Sequence, residues 1–192
     1  MKRFICSTAV VLTSILSLTL SAAGASELKL DAAKSSIEFG FSQLGVPMKG
    51  RFTRFDAKVF FDAKKPENTQ AEFGVDINSV DLGDKAYNDE TKTPEWLNAR
   101  LFPRATFVTE KVTALGANKF EAVGKLAIKG VVQPIKAQFS FADGTSPVVE
   151  GSFSMKRLSW KIGDNEWKDP SVVADEVTVR FRFVTSKLQT GK

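Results

Sequence analysis

Few side chains in this sequence could do covalent or metal chemistry, and their spacing is poor. Histidine is absent from all 192 residues. That removes the usual general base near neutral pH and the commonest transition-metal ligand. Cys6 is the only cysteine. Ser26-Glu27-Leu28-Lys29 has the Ser-x-x-Lys spacing of an acyl-transfer nucleophile beside its base, but the companion motifs of that chemistry are missing. There is no G-x-S-x-G, no Walker loop and no G-x-G-x-x-G. Asp164, Glu166 and Asp169 fall in one short stretch and offer oxygen ligands for calcium, without the spacing of an EF-hand loop. Asp76, Asp81, Asp84, Asp89 and Glu90 could supply an acid/base pair, but solvated surface charge is the simpler reading. No enzymatic activity, metal or cofactor is expected.

The pattern that dominates the chain is apolar alternation. In Val123 to Phe141, Gly124, Leu126 and Ile128 alternate with Lys125, Ala127 and Lys129. After a short turn, Ile135, Ala137, Phe139 and Phe141 alternate with Lys136, Gln138 and Ser140. A period of two gives a strand one apolar and one polar face. The same plan recurs at residues 28–30, 35–44, 48–61, 71–77, 105–115, 149–156 and 177–184. Gly45-Val46-Pro47, Gly116-Ala117-Asn118 and Asp143-Gly144-Thr145-Ser146-Pro147 supply turns. The alternation lapses between Asp81 and Phe102. Asp84 to Lys92 is polar and tolerates a helix, and Thr93-Pro94-Glu95 predicts a helix start, with Thr93 as N-cap and Pro94 at the first helical position. Trp96, Leu97, Leu101 and Phe102 give that segment an apolar side, and Pro103 ends it. Residues 157–169 read as a long irregular connection.

About eight antiparallel strands of meander type with one helical insertion fit either a β-sandwich or an up-and-down barrel. An eight-stranded barrel has an interior that side chains fill or that holds one small ligand. Periodicity does not choose between these.

Residues 1–25 read as an export signal: Lys2 and Arg3, an apolar run from Ala9 to Leu20, then Ala23-Gly24-Ala25 before the cut. The run is shorter than the about 20 residues of a spanning helix. Residues 26–192 are expected to form one domain in the periplasm. Loss of Lys2 and Arg3 takes the 27 basic residues to 25, against 22 acidic, a net charge of +3. The charges are interspersed singly, which argues against nucleic acid. Without Cys6 the mature chain has no internal disulfide. Fifteen of the 16 phenylalanines lie in the mature chain, most in phase with an apolar strand face.

Six segments then carry a resemblance: Asp31 to Phe39 (DAAKSSIEF), Gly45 to Phe52 (GVPMKGRF), Glu95 to Phe107 (EWLNARLFPRATF), Gly124 to Phe139 (GKLAIKGVVQPIKAQF), Arg157 to Gly163 (RLSWKIG) and Val173 to Phe183 (VADEVTVRFRF). Over residues 27–185 the chain resembles the YceI-like family, exported bacterial proteins with a lipocalin-like barrel that bind polyisoprenoids or related long-chain lipids. The resemblance implies an all-β, lipocalin-like antiparallel up-and-down barrel of about eight strands with a short helical insertion. It also implies an apolar cavity for a long-chain isoprenoid or fatty-acyl lipid, whose burial contributes about 0.8 kcal/mol per methylene. On that reading Phe39, Phe41, Phe73, Phe107, Phe139, Phe153, Phe181 and Phe183 line the cavity, with Leu126 and Ile128 touching ligand, and Trp96 stands near the mouth. Arg157 and Lys129 are candidates for a polar head group. Many members carry histidine where this sequence has Lys34 and Gln43, so any role of those histidines is absent here. Expected partners are the lipid and, left open, a second copy in a homodimer; nucleic acid and stable membrane insertion are not expected. Two alternatives stand beside the binding protein: an accessory protein or enzyme of isoprenoid-quinone metabolism, and a stress-related structural protein with a filled core.

Overall fold

The computed structural model describes residues 26–187. The export signal expected at residues 1–25 lies outside the described residues. Eleven antiparallel strands follow in order: β1 (Ser26–Leu30), β2 (Ser36–Gln43), β3 (Val46–Phe52), β4 (Phe55–Phe61), β5 (Gln70–Asp76), β6 (Val80–Asp81), β7 (Arg104–Gly116), β8 (Lys119–Ile128), β9 (Val131–Ala142), β10 (Val148–Lys156) and β11 (Glu176–Lys187). One α-helix, α1, spans Lys85–Thr91. No helix among the described residues is long and apolar enough to cross a membrane.

The eleven strands act as eight staves. β1 and β2 are one bent stave, because both pair with β11: Leu30 opposite Thr185, and Ser36 opposite Arg182. Ser35 pins the bend, accepting from the Val184 N–H at 2.9 Å and donating to the Asp31 carbonyl at 2.7 Å. β3 and β4 form the second bent stave, and β5 and β6 the third. Each stave then pairs with the next through β10 and β11. The β1–β11 ladder closes the ring, so no sheet edge remains along it. The result is an eight-staved up-and-down barrel, as the resemblance implied.

Local chemistry explains the joints. Leu44 and Gly45 between β2 and β3, and Lys129 and Gly130 between β8 and β9, all have positive φ. Two consecutive residues of that kind make the tight turn whose twist matches a right-handed hairpin. The alternation predicts one strand over 48–61, but the chain breaks at Thr53 and Arg54. Their backbone N–H groups leave the strand ladder for Ser79: Thr53 N–H reaches the Ser79 carbonyl at 3.1 Å, and Arg54 N–H reaches Ser79 Oγ at 3.0 Å. Ser79 is buried and donates to the Asp76 carbonyl at 2.7 Å. A short polar side chain thus turns two staves at once.

The helix is also displaced from its predicted place. Asp84 caps α1, its carboxylate accepting from the N–H groups of Ala86 and Tyr87. The segment after Thr93 forms turns instead. Thr93 offers no cap bond (its Oγ1 is buried without a partner), and its carbonyl accepts from Trp96 N–H at 3.2 Å and Asn98 N–H at 2.8 Å. Asn98 then adopts a left-handed conformation that ends any helical path. A carboxylate that accepts two N–H groups prevails over a hydroxyl that accepts none.

The outer face carries cross-strand ion pairs, such as bidentate Arg104–Asp56 at 2.7 and 2.8 Å and Arg182–Glu150 at 2.6 Å. Exposed pairs of this kind contribute about 0–1 kcal/mol each. The Arg104 guanidinium holds Asp56 below the usual carboxylate range, and Arg54 does the same for Asp76. For Asp81 the Gly83 N–H acts first and Arg51 second. A carboxyl lowered in the folded state stabilises above its unfolded value and loses that contribution as pH falls through the folded one. With no histidine, no side chain has an ordinary titration range between about pH 5 and 8. Thermal melts should therefore be flat across that range and fall only below about pH 4. A sigmoidal change in melting temperature near pH 6 would contradict this.

Candidate functional site

Inward-facing residues of all eight staves surround a cavity of about 190 Å³. Its wall is built from 31 residues: aliphatic and phenylalanine side chains, Met155, and the threonines Thr69, Thr106, Thr109 and Thr185. None of the wall residues is ionisable. The cavity is far above the ~10–15 Å³ that one water needs, so the interior is not a filled core.

Two plugs bound the space. At one end Phe61 meets the rings of Phe141, Phe120 and Phe139 at centroid distances of 4.8, 5.3 and 6.1 Å, with Leu28, Val112 and Ala122 around them. At the other end the 93–103 segment brings Leu97 and Ala99 against Ile77 and Ala105. Trp160 packs there with Leu126, Ile135 and Met155, and its indole N–H donates to the Leu126 carbonyl at 3.1 Å. Small residues make room in the wall. A Cβ at Gly124 would run into the Val108 carbonyl and the Phe107 ring, and one at Gly151 into the Gln138 carbonyl and the Phe181 ring.

The cover over the second end is knotted by Arg157, which is 2 % exposed. Its Nε donates to the Ala174 carbonyl at 3.1 Å. Its Nη1 donates to Ile162 at 2.7 Å and Gly163 at 3.1 Å, and its Nη2 to Trp167 at 2.6 Å and Val173 at 2.7 Å. Burial pushes the guanidinium below its ordinary value, with Asp175 pulling it back up. The guanidinium also lies 5.8 Å from the Trp96 ring, which in turn sits 5.4 Å from Trp167. Lys129 fastens the same cover from the β8–β9 turn, donating to the Glu95 carbonyl at 3.0 Å and the Lys161 carbonyl at 2.5 Å. Burial lowers its ammonium from the ordinary value, against the pull of Asp164 at 3.7 Å.

The structure thus divides the residues predicted for the site. Phe73, Phe107, Leu126, Ile128, Phe139, Phe153, Phe181 and Phe183 are all in the cavity wall. Phe39 and Phe41 are not. Ile37, two residues earlier, is in the wall, but β2 and β3 then run past the ring, because β6 pairs only with Arg51 and Phe52. Phe39 lies over Gly50 and packs on Phe41 at 6.3 Å and Phe52 at 5.4 Å. Trp96 belongs to the cover, its indole N–H on Glu90 at 3.2 Å, and not to the wall. Arg157 and Lys129 do not face the cavity, since their N–H groups are engaged by backbone carbonyls of the cover. Asp164 faces Lys129 and Lys168, while the Asp169 carboxylate accepts from the Ser171 N–H and hydroxyl. Ile135, Val179 and Met155 extend the wall with the parity of their strands, a signal open to sequence reading. Thr69 also lies in the wall, in phase with Ala71 and Phe73 but before the strand that alternation predicts from Ala71.

A model of the YceI-like domain matches residues 28–185. Among curated relatives, a UPF0312 protein of Shewanella denitrificans is 33% identical over 131 residues, 65% of this chain and 69% of its own length. Protein YceI of Salmonella arizonae is 32% identical over 120 residues, 61% of this chain and 62% of its own length. Against several such relatives the match spans less than two thirds of their length, 58% for one from Vibrio parahaemolyticus. Among solved structures, BcnA of Burkholderia cenocepacia is 38% identical, with a TM-score of 0.79 over 81% of this chain and 98% of that one. A polyisoprenoid binding domain from Saccharophagus degradans shares the fold at 18% identity, with a TM-score of 0.66 over 84% of this chain and 99% of that one. The family match and the closed barrel agree, and the chain belongs to the YceI-like domain family.

Proposed function

We propose that this protein is a periplasmic binding protein that holds a long-chain isoprenoid or related amphiphilic lipid in its barrel, for carriage, storage or sequestration. The observation that carries this reading is the wall: a cavity of about 190 Å³ with no ionisable side chain on it. Such a surface gains from a hydrocarbon chain about 25 cal/mol per Å² of apolar area buried. It also offers no general acid, general base or carboxylate ligand to a buried substrate, which suits a carrier better than a catalyst. The polyisoprenoid binding domain of the same fold lends support. The export reading of residues 1–25 supports the compartment.

The test is native mass spectrometry and lipid extraction of freshly purified protein, followed by uptake of long-chain lipids. Co-purified or acquired long-chain lipid is the expected result; protein that carries none and takes up none overturns the reading. A second measurement locates the site. Ala71 lies in the wall on β5 beside Phe73. Ala71→Phe is expected to reduce lipid uptake about tenfold or more while leaving the melting temperature unchanged or higher, because a side chain placed in a cavity does not overpack. Unchanged uptake would place the lipid elsewhere.

A further inference from the structure

The cavity wall is hydrocarbon with a few hydroxyls, and these are not equivalent. Thr185 is buried, and its Oγ1 donates to the Pro147 carbonyl at 2.9 Å. Thr69 differs: its Oγ1 is shut off from solvent and has no hydrogen-bond partner, although the residue is part of the wall. Unpartnered buried hydroxyls are few in folded proteins, because each loses its hydration without replacement. The backbone of Thr69 is fixed, its N–H donating to the Pro66 carbonyl at 3.0 Å. Its hydroxyl can therefore reach the cavity only by a change of side-chain rotamer. A threonine carries its hydroxyl and methyl on the same carbon, so one step between staggered χ1 positions exchanges them.

The surroundings narrow what such a hydroxyl could meet. Thr69 precedes β5 at the end of the barrel plugged by Phe61. The β5–β7 ladder ends with Glu72 opposite Val108, which leaves Thr69 and the wall residue Thr109 within three residues of its last pair. The register between β7 and β8 shifts at Thr109 and Lys111, which interrupts the regular wall beside them. No Lys, Arg, Asp or Glu belongs to the wall, and an ionised group moved from water into such a space loses far more than it recovers.

We propose that Thr69 is the hydrogen-bonding point of the cavity, and that the buried polar group of the ligand is a single uncharged oxygen, a hydroxyl or a carbonyl. A phosphate or carboxylate is excluded from that end. This rests on the carrier reading and adds to it the chemistry and position of the ligand's polar atom, which lies toward Phe61.

The experiment compares farnesol with farnesane, the hydrocarbon of the same skeleton, by displacement of a lipophilic fluorophore from wild type, Thr69→Val and Thr69→Ser. Thr69→Val is nearly isosteric and removes the hydroxyl; Thr69→Ser keeps it. The expected result is that Thr69→Val weakens farnesol about fivefold, the scale of one net hydrogen bond. Farnesane should be unchanged by it, and Thr69→Ser should bind farnesol like wild type. Thr69→Val should also melt no lower than wild type, since its hydroxyl has no partner in the folded protein. Equal effects on both ligands, no effect on farnesol, or a Thr69→Val melt several degrees lower would each overturn the proposal while leaving the carrier reading intact. Wild type that binds neither ligand and carries no lipid by mass spectrometry would overturn both.

Discussion

Arg157→Met is expected to lower stability by about 3–5 kcal/mol, the range found when one side of a buried charged network is removed. For a domain of this size that is a fall in melting temperature of roughly 10 °C. The cause is not a lost salt bridge. Five backbone carbonyls, those of Ala174, Ile162, Gly163, Trp167 and Val173, accept from one guanidinium, and methionine satisfies none of them. Those carbonyls come from three separate stretches of the cover, so their release frees the cover as a whole. Arg157→Lys should recover only part of the loss, because an ammonium offers three donors around a point and not a planar fork. Differential scanning calorimetry gives the magnitude. Tryptophan fluorescence reports the location, because Trp96 and Trp167 lie against the knot. A variant that melts within about 2 °C of wild type, a shift of 1 kcal/mol or less, would show that water replaces the guanidinium readily. A cover loosened in this way should also release bound lipid faster.

The other large effect is expected at the opposite end. Phe61 is buried and touches three other phenylalanine rings, so Phe61→Ala removes the centre of the plug. Large-to-small substitutions of a buried phenylalanine cost about 3–5 kcal/mol, and the cost grows with the space left behind. Here that space joins an existing cavity, because Phe61 is itself a wall residue. Urea denaturation should show the loss in the midpoint with an unchanged slope. Added long-chain lipid should restore more of the midpoint to Phe61→Ala than it adds to wild type, since the enlarged cavity buries more of the chain. A loss below about 1 kcal/mol would mean that Phe120, Phe139 and Phe141 collapse into the gap.

Much of the barrel was legible because most of its strands obey one period. Val123 to Phe141 shows why: ten consecutive pairs between β8 and β9 keep strict register from Lys119–Ser140 to Ile128–Val131. The same parity correctly put Phe73, Phe107, Phe181 and Phe183 on the inner face. It failed where a strand outruns its neighbours. Phe39 has the parity of Ile37, yet there is no further stave beyond Gly50 for it to face. It failed again where polar side chains act on the backbone. Ser79 breaks a strand that alternation alone continues, and Asp84 takes the cap that Thr93-Pro94 advertises. Closure itself came from the family resemblance, since alternation is the same in a sandwich and a barrel. Arg157 illustrates the hardest case. An arginine between two apolar strands invites an assignment to a head group, and only the carbonyls gathered around it from distant positions reveal its structural task.

The seam between β1 and β11 has a consequence for synthesis. Its partners, such as Leu28 and Lys187, lie at opposite ends of the described chain. The first stave precedes the last along the chain, so until β11 is in place both of its halves, β1 and β2, lack their partner strand. Emergence of Glu176–Lys187 completes β10 and both halves of the first stave in one event. Until then there is no interior to load. Any filling of the cavity must follow the arrival of β11, and a chain stopped before Glu176 is expected to depend on holding chaperones in proportion to the apolar surface it leaves bare.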